Sequence, residues 1–226
     1  TLAGGSLAPP PRSRSRWALA AGAAALLLAA GAWLGRGLLR EPPSESSPVP
    51  LTSWAGTVSA PALSPDGRQV AFCWSGGPEP ESSPAWSPDG TSIAFLRRTG
   101  ALDGRLVIVP ALGGPERVVL EGLIGGRAAW TPDGTSLVVS VRDTVDGGLG
   151  LFLLDLATGA SRRLTHSPPS NWAGDHAPAV SPDGRTIAFA RALTRSNSEI
   201  YLLPLPSGAD APGEPVRLTS EGTSAG

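Results

Sequence analysis

A seven-residue pattern that ends in Pro-Asp-Gly occurs four times in this chain, and it constrains the fold more than any other feature. A short apolar run of the Ile-Ala-Phe type follows each copy after two intervening residues. Such repetition governs the prediction of a fold, because each repeat is one supersecondary unit that buries its apolar face against the next. The four copies occupy residues 61–67, 84–90, 128–134 and 178–184, and the apolar runs occupy residues 70–72, 93–95, 137–139 and 187–189.

The chemistry of each copy predicts the corner of a β-hairpin. Proline fixes φ for a turn, aspartate hydrogen-bonds to nearby backbone, and glycine adopts the left-handed conformation that closes the turn. The run after the glycine is apolar at consecutive positions, so the strand presents apolar side chains on both faces. Such a strand must be covered on both sides, which predicts sheets stacked one against the next.

Two further strand signals follow the hairpin in the later three copies. An apolar run comes first, then a glycine-containing turn, and then a short strand that contains arginine. Each full unit is therefore predicted to hold four antiparallel strands, which is the make-up of one propeller blade. The apolar runs are residues 106–109, 151–156 and 200–203, and the arginine-bearing strands are residues 117–120, 162–165 and 217–219.

Composition supports a turn-rich β protein that carries some disordered sequence. The 29 glycines and 24 prolines exclude a coiled coil or a long helical bundle, whose helices these residues would interrupt. A hydrophobic fraction of 41% is too high for a wholly disordered chain. The formal net charge of −1 offers no overall field to attract nucleic acid.

The Ser-Pro-Asp-Gly corners, the strands after them and the Arg-Leu-Thr endings resemble the repeats of TolB-like β-propellers. They also resemble the propellers of prolyl oligopeptidases and of dipeptidyl peptidase IV. The resemblance covers about residues 49–220 and implies an all-β fold. Asp66 and Asp89 are only about half as far apart as Asp89 and Asp133, so the first unit lacks its third and fourth strands. We therefore predict an incomplete β-propeller, with about three full four-stranded blades plus a half blade, preceded by one transmembrane α-helix.

The blade count bears on whether the sequence is whole. Three and a half blades cannot close a ring that needs four or more. Either the product is truncated at both ends, or the first blade carries an internal deletion. The chain begins at Thr1 and contains no methionine, which we interpret as a fragment of a longer product.

An uncharged run over residues 17–34 predicts the membrane-spanning helix. Its 18 residues would rise about 27 Å as a helix, enough for the hydrocarbon core. Trp17 and Trp33 stand near its two ends, where indoles favour the interface. Three arginines precede the run and two follow it, which favours a cytoplasmic N-terminus. The alternatives are the core of a cleaved signal peptide and a soluble helix.

The predicted organisation follows from these segments. The domains are a disordered juxtamembrane linker over residues 1–16, a transmembrane helix over 17–35, a Pro/Ser-rich stalk over 36–50, a TolB-like propeller segment over 51–220 and a truncated tail over 221–226. Within the propeller the repeats span residues 61–74, 84–120, 128–165 and 178–219.

This layout looks like that of bacterial proteins in which a cytoplasmic Ser/Thr kinase or a winged-helix DNA-binding domain precedes the span and a propeller follows it. The resemblance implies a non-catalytic binding, sensor or protein-interaction module outside the cytoplasm, on a single-pass protein of the bacterial inner membrane. Its expected partners are the lipid bilayer and a protein or small-molecule ligand at the propeller, without nucleic acid. The alternatives are the propeller of a serine peptidase whose hydrolase domain lies beyond Gly226, and a periplasmic Tol-type protein.

The sequence predicts no catalytic, cofactor-binding or metal-binding residue. Residues 222–226 fit the Gly-x-Ser-x-Gly spelling, but that motif requires a strand before it and a helix after it. His166 and the pair Asp175 and His176 could be imagined in a triad with a serine, and surface positions are the simpler interpretation. The four corner aspartates could form a carboxylate ring for a cation, although the turn already explains each of them. They are Asp66, Asp89, Asp133 and Asp183.

The remaining chemistry-bearing residues predict packing rather than reaction. Cys73 is the single cysteine, so neither an intrachain disulfide nor a cysteine zinc site can form, and a buried strand thiol is expected. Five tryptophans are expected to pack in strands or between blades, since a nucleic-acid platform would need basic neighbours. They are Trp54, Trp74, Trp86, Trp130 and Trp172.

Overall fold

The computed structural model describes most of the chain from residue 49 to residue 219. The described ranges are residues 49–53, 56–76, 79–100, 103–142, 147–167, 174–194, 196–206 and 211–219. The predicted linker, membrane span and tail, together with most of the stalk, lie outside them. No helix in the described ranges is long and apolar enough to cross a bilayer.

The described residues form an all-β fold of fourteen strands. In chain order they are β1 (Val58–Leu63), β2 (Val70–Trp74), β3 (Glu81–Trp86), β4 (Ser92–Arg98), β5 (Gly104–Pro110), β6 (Arg117–Gly122), β7 (Ala129–Trp130), β8 (Ser136–Val141), β9 (Gly150–Asp155), β10 (Ser161–Arg163), β11 (Gly174–Val180), β12 (Thr186–Ala192), β13 (Ser198–Pro204) and β14 (Val216–Arg217). All of them belong to the compact unit of residues 54–226.

The strands form four antiparallel sheets, which we call blades 1 to 4. Blade 1 contains β1 and β2, blade 2 contains β3 to β6, blade 3 contains β7 to β10, and blade 4 contains β11 to β14. Every neighbouring pair is antiparallel and consecutive in the chain, the meander expected of a propeller blade. The predicted fold of three four-stranded blades and a half blade is confirmed in this part of the chain.

Alternate residues of β8 pack toward opposite neighbouring blades. Leu137 and Val139 lie in a buried cluster with Leu96 of blade 2. Val138, between them in sequence, lies in a second cluster with Phe189 of blade 4. The core therefore consists of layers between blades, as the two-faced apolar strands predict.

The Pro-Asp-Gly corners of successive blades also touch one another. The glycine of each corner has φ near 70°, and in blades 2 to 4 it stands against the proline of the preceding corner. A Cβ atom added to Gly90, Gly134 or Gly184 would lie 3.7, 3.9 or 3.5 Å from a proline Cδ atom. The prolines are Pro65, Pro88 and Pro132, respectively. The same step relates each blade to the next.

Two tryptophan side chains tie blades together through hydrogen bonds. Trp86 of blade 2 donates its indole Nε1–H to the carbonyl of Ala62 in blade 1, at 2.9 Å. Trp130 of blade 3 makes the equivalent bond to Ala85 of blade 2, at 3.0 Å. Val180 holds this position in blade 4 and has no such donor. These tryptophans therefore lie between blades, as predicted, and add a polar bond to the packing.

The first strands of blades 1, 2 and 4 share a bulge with a left-handed residue. Ala60, Ser83 and Ala177 have φ of 50°, 57° and 50°, and each immediately precedes a proline. The register of the pairing shifts at each of these points. The sequence pattern gave no indication of this bulge, because alanine and serine are ordinarily found at negative φ.

Candidate functional site

A groove with a volume of about 630 Å³ lies between blades 1 and 2. Its wall on one side is β2, and its wall on the other side is the face of blade 2 that carries Ile93, Phe95 and Arg97. The remaining lining residues that matter here are Cys73, Glu79, Glu81, Val109 and Glu116. We call this cavity the groove.

The groove has a filled counterpart between blades 3 and 4. There Leu151 of β9 and Leu164, just after β10, are buried in one cluster with Ile187 and Phe189 of β12. Ile93 and Phe95 hold the same repeat positions as Ile187 and Phe189, directly after a Pro-Asp-Gly corner. Blade 1 has two strands in the described residues, so β9 and β10 have no counterparts there. The groove occupies the place of a third and fourth strand.

One end of the groove is strongly polar. Arg97 donates from Nη2 to Glu81 Oε1 at 2.6 Å and from Nη1 to Glu116 Oε2 at 2.6 Å. Its Nε atom is 3.7 Å from a Glu79 carboxylate oxygen. The guanidinium also lies 5.2 Å from the centre of the Phe95 ring, a cation–π distance.

The charges at this end do not balance. The groove lining contains three carboxylates and one guanidinium, which leaves an excess of two negative charges. The hydrogen bond from Arg97 lowers the pKa of Glu116 below its usual value and raises the pKa of Arg97. The Glu79 side chain is 42% exposed and has the longest contact with Arg97, so its charge is the least neutralised of the three.

Blade 4 has a more deeply buried version of the same arrangement. Arg191 donates to both oxygens of Asp175, at 2.6 and 2.8 Å, and the Asp175 side chain is fully buried. The guanidinium lies 4.8 Å from the centre of the Tyr201 ring. Hydrogen bonding to Asp175 raises the pKa of Arg191. Asp175 is the carboxylate that Arg191 contacts here, Glu214 acts on it more weakly, and the site is closed by packing.

Both arginine–carboxylate pairs were missed by the sequence analysis. Each arginine stands two residues after the phenylalanine of an Ile-Ala-Phe run, and each acid stands sixteen residues before its arginine. Position 97 shares its repeat position with 191, and position 81 with 175. Charge complementarity at equal spacing in two repeats was the signal that could have found them.

Cys73 lies in β2 and is buried, as predicted. Burial is the larger cause, and the charge of Glu81 the smaller cause, of a raised pKa for its thiol. A thiol with a raised pKa is a weak nucleophile at neutral pH. The residue therefore serves as an apolar part of the groove wall.

The four corner aspartates all make the same local hydrogen bonds. Each carboxylate accepts from the Ser or Thr hydroxyl two residues earlier at 2.6 Å and from the backbone N–H two residues later. These bonds lower the pKa of all four carboxyl groups. Among the described residues, no three acidic, histidine or cysteine side chains converge as a metal site would require. Each corner aspartate is therefore engaged within its own turn.

The imagined triad residues are not brought together. Asp175 is engaged by Arg191, and the Nδ1 atom of His176 lies 3.3 Å from the carbonyl oxygen of Gly174. His166 is exposed. Trp54, Trp172 and the Gly-x-Ser-x-Gly spelling at residues 222–226 lie outside the described residues.

Comparison with known proteins supports the propeller fold. No protein-family model matches the sequence, and a search of curated proteins gives no match either. Among solved structures, a putative TolB from Agrobacterium tumefaciens is similar at 25% identity and a TM-score of 0.54, over 73% of this chain and 62% of that chain. Prolyl oligopeptidase B from Galerina marginata is similar at 12% identity and a TM-score of 0.52, over 74% of this chain and 31% of that chain.

These similarities define the class. The described residues have the fold of a TolB-like β-propeller, of which they form three four-stranded blades and one two-stranded blade. The chain spans less than two thirds of the length of either structure.

Proposed function

We propose that this chain is the binding module of a bacterial membrane protein that uses its propeller outside the cytoplasm as a sensor or protein-interaction domain. The observation that supports it is the groove. A cavity of about 630 Å³ with an apolar floor and a few polar groups at one end is typical of a ligand site.

The membrane placement is part of the proposal and derives from the sequence. The uncharged run over residues 17–34 is long enough to span the hydrocarbon core as a helix. The arginines that flank it favour an N-terminus in the cytoplasm. The propeller would then stand on the opposite side of the inner membrane.

Reporter fusions test this topology directly. Alkaline phosphatase fused after Gly226 of the full chain is expected to be active, because it folds only outside the cytoplasm, and β-galactosidase at the same point is expected to be inactive. The reverse pattern would contradict the placement. A fusion protein that is released from the membrane fraction after cleavage near residue 35 would support the periplasmic Tol-type alternative instead.

The output of the sensor is the remaining part of the proposal. We expect a cytoplasmic Ser/Thr kinase or winged-helix DNA-binding domain in the same gene product, on the N-terminal side of the span. The peptidase alternative has only fold-level similarity in its favour. The gene sequence upstream of Thr1 and downstream of Gly226 separates the two functions. Kinase or winged-helix motifs upstream support the sensor, and a nucleophile elbow downstream supports the peptidase.

A further inference from the structure

We infer that the groove binds an extended peptide segment of a partner protein, which carries two leucine-like side chains in alternation and a basic residue two positions before the first of them. This inference rests on the proposed binding function and specifies the ligand class. The peptide lies in the place that the third strand of a complete blade holds. Three properties of the structure support it. They are the shape of the groove, its charge, and the position of the charged end relative to the apolar part along the direction of the strand.

The shape follows from the filled interface between blades 3 and 4. In that interface Leu151 and Leu153, two residues apart on β9, point toward the face of blade 4 that carries Phe189. Residues two apart on a strand share a face. The corresponding face of blade 2 offers Ile93, Phe95 and Val109 to the groove. An extended segment with apolar residues at alternate positions therefore fills the groove as β9 fills its own interface.

The charge of the groove selects the third side chain. Glu79, Glu81 and Glu116 surround the single guanidinium of Arg97, and the lining keeps two negative charges in excess. In blade 4 the matching arginine contacts the buried Asp175, Glu214 acts on it more weakly, and the space in front of the pair is occupied by leucines. A cationic side chain would compensate the excess negative charge in blade 2. An additional apolar side chain would leave that charge uncompensated.

The order of the residues follows from the position of Leu149. This residue stands two positions before Leu151, and its carbonyl oxygen accepts the backbone N–H of Asp175 at 2.8 Å. The Leu149 position thus lies at the arginine–carboxylate end of its interface. Asp175 and Glu81 hold the same repeat position, so the peptide backbone at the equivalent place lies beside Glu81. A long lysine or arginine side chain there reaches the carboxylates of Glu81 and Glu79, although Leu149 itself packs against Gly125.

The test uses the full chain and two matched peptides. The first is acetyl-Lys-Thr-Leu-Thr-Leu-Thr-amide with a fluorescent label, and the second replaces its lysine by glutamate. We expect saturable binding of the lysine peptide by fluorescence anisotropy and binding about tenfold weaker for the glutamate peptide, a difference of roughly 1.4 kcal/mol. Equal affinity of the two peptides, or no binding of the lysine peptide, would overturn the inference.

Cys73 locates the bound peptide, because it is the single cysteine of the chain and lines the groove. At alkaline pH, where the thiol with its raised pKa ionises, saturating lysine peptide is expected to slow its alkylation by iodoacetamide severalfold. Glu79→Gln is expected to weaken binding of the lysine peptide about threefold, since it removes the least neutralised carboxylate. Glu121→Gln, outside the groove lining, is the control and should leave the affinity unchanged. Binding that leaves the alkylation rate of Cys73 unaltered would refute this location.

The remaining occupant to distinguish is a second copy of the chain. Sedimentation velocity over a hundredfold range of protein concentration is expected to show no self-association. The alkylation rate of Cys73 is expected to stay constant over the same range. Protection of Cys73 by concentration alone would replace the peptide by a second copy and overturn the inference. Because the reporter fusions do not depend on the groove, failure of the peptide test leaves the topology result standing, and failure of the topology leaves the peptide result standing.

Discussion

Asp175 and Arg191 form a two-pronged ion pair across β11 and β12, with both carboxylate oxygens accepting at 2.6 and 2.8 Å and the aspartate side chain fully buried. The guanidinium lies over the Tyr201 ring, and the Arg191 side chain is only 14% exposed. The pair therefore links β11, at the edge of blade 4, to Tyr201 of β13 through Arg191. Its exposed relative in blade 2 surrounds the same kind of arginine with three acids.

Removing the buried partner is expected to destabilise the protein strongly. Asp175→Ala leaves a largely buried guanidinium without its carboxylate, and we expect a loss of about 3 kcal/mol in the free energy of unfolding. Denaturant titration followed by circular dichroism measures it. Glu121→Ala breaks the exposed pair with Arg105, whose side chains are 62% and 44% exposed, and should cost less than about 0.5 kcal/mol. Equal losses would contradict the assigned burial.

The left-handed bulge predicts a substitution that stabilises the chain. Ala177 is exposed and has φ of 50°, a conformation that glycine adopts without the steric cost that alanine meets. We expect Ala177→Gly to raise the free energy of unfolding by about 0.5 kcal/mol, after the entropy of the unfolded glycine is counted. The matched control is Ala179→Gly in the same strand, at ordinary φ, which should lower it by about 0.5 to 1 kcal/mol. A loss in both variants would contradict the bulge.

The corner aspartates make stability depend on pH in the acidic range. Their pKa values in the folded protein lie below the ordinary 3.8, chiefly because a Ser or Thr hydroxyl donates to each carboxylate. The unfolded chain then binds protons more readily than the folded one. The contribution is therefore complete above pH 3.8 and is lost as the pH falls through the lower folded value.

Thermal unfolding of the full chain between pH 7 and pH 2.5 measures this effect. We expect the midpoint temperature to fall below about pH 4, and to fall less steeply in Asp183→Asn, which cannot titrate at that corner. Ser181→Ala removes the hydroxyl that donates to Asp183 and should also flatten the dependence. An unchanged pH dependence in both variants would be evidence against the hydrogen-bonded corner.

The sequence predicted the blades because the corner chemistry is local. Proline, aspartate and glycine act within a few residues, and the two-faced strand after them requires neighbours on both sides. The short first unit was visible from the spacing of Asp66 and Asp89 alone. These features need no knowledge of contacts between distant residues.

The groove and its charges were not predicted, although the equal acid–arginine spacing in two repeats carried a signal for the ion pairs. They arise where β2 faces blade 2 without the strands that fill the other interfaces. The spacing predicts that these strands are missing but does not show which side chains line the space they leave. The bond from Trp130 to Ala85 joins residues 45 positions apart, a distance over which the repeat suggests proximity but not a donor and an acceptor. The left-handed Ala60 and Ala177 were unpredictable because their residue type argues against that φ.

Side-by-side stacking of the blades is tested most directly by the exchange of indole protons. In the full chain with 15N-labelled tryptophan, seven indole signals are expected, and those of Trp86 and Trp130 should exchange slowly because each donates to a carbonyl of the preceding blade. Trp86→Phe and Trp130→Phe assign the two signals. Two protected signals that disappear one by one in these variants would support the stacked blades. Seven signals that exchange as fast as free tryptophan would contradict them.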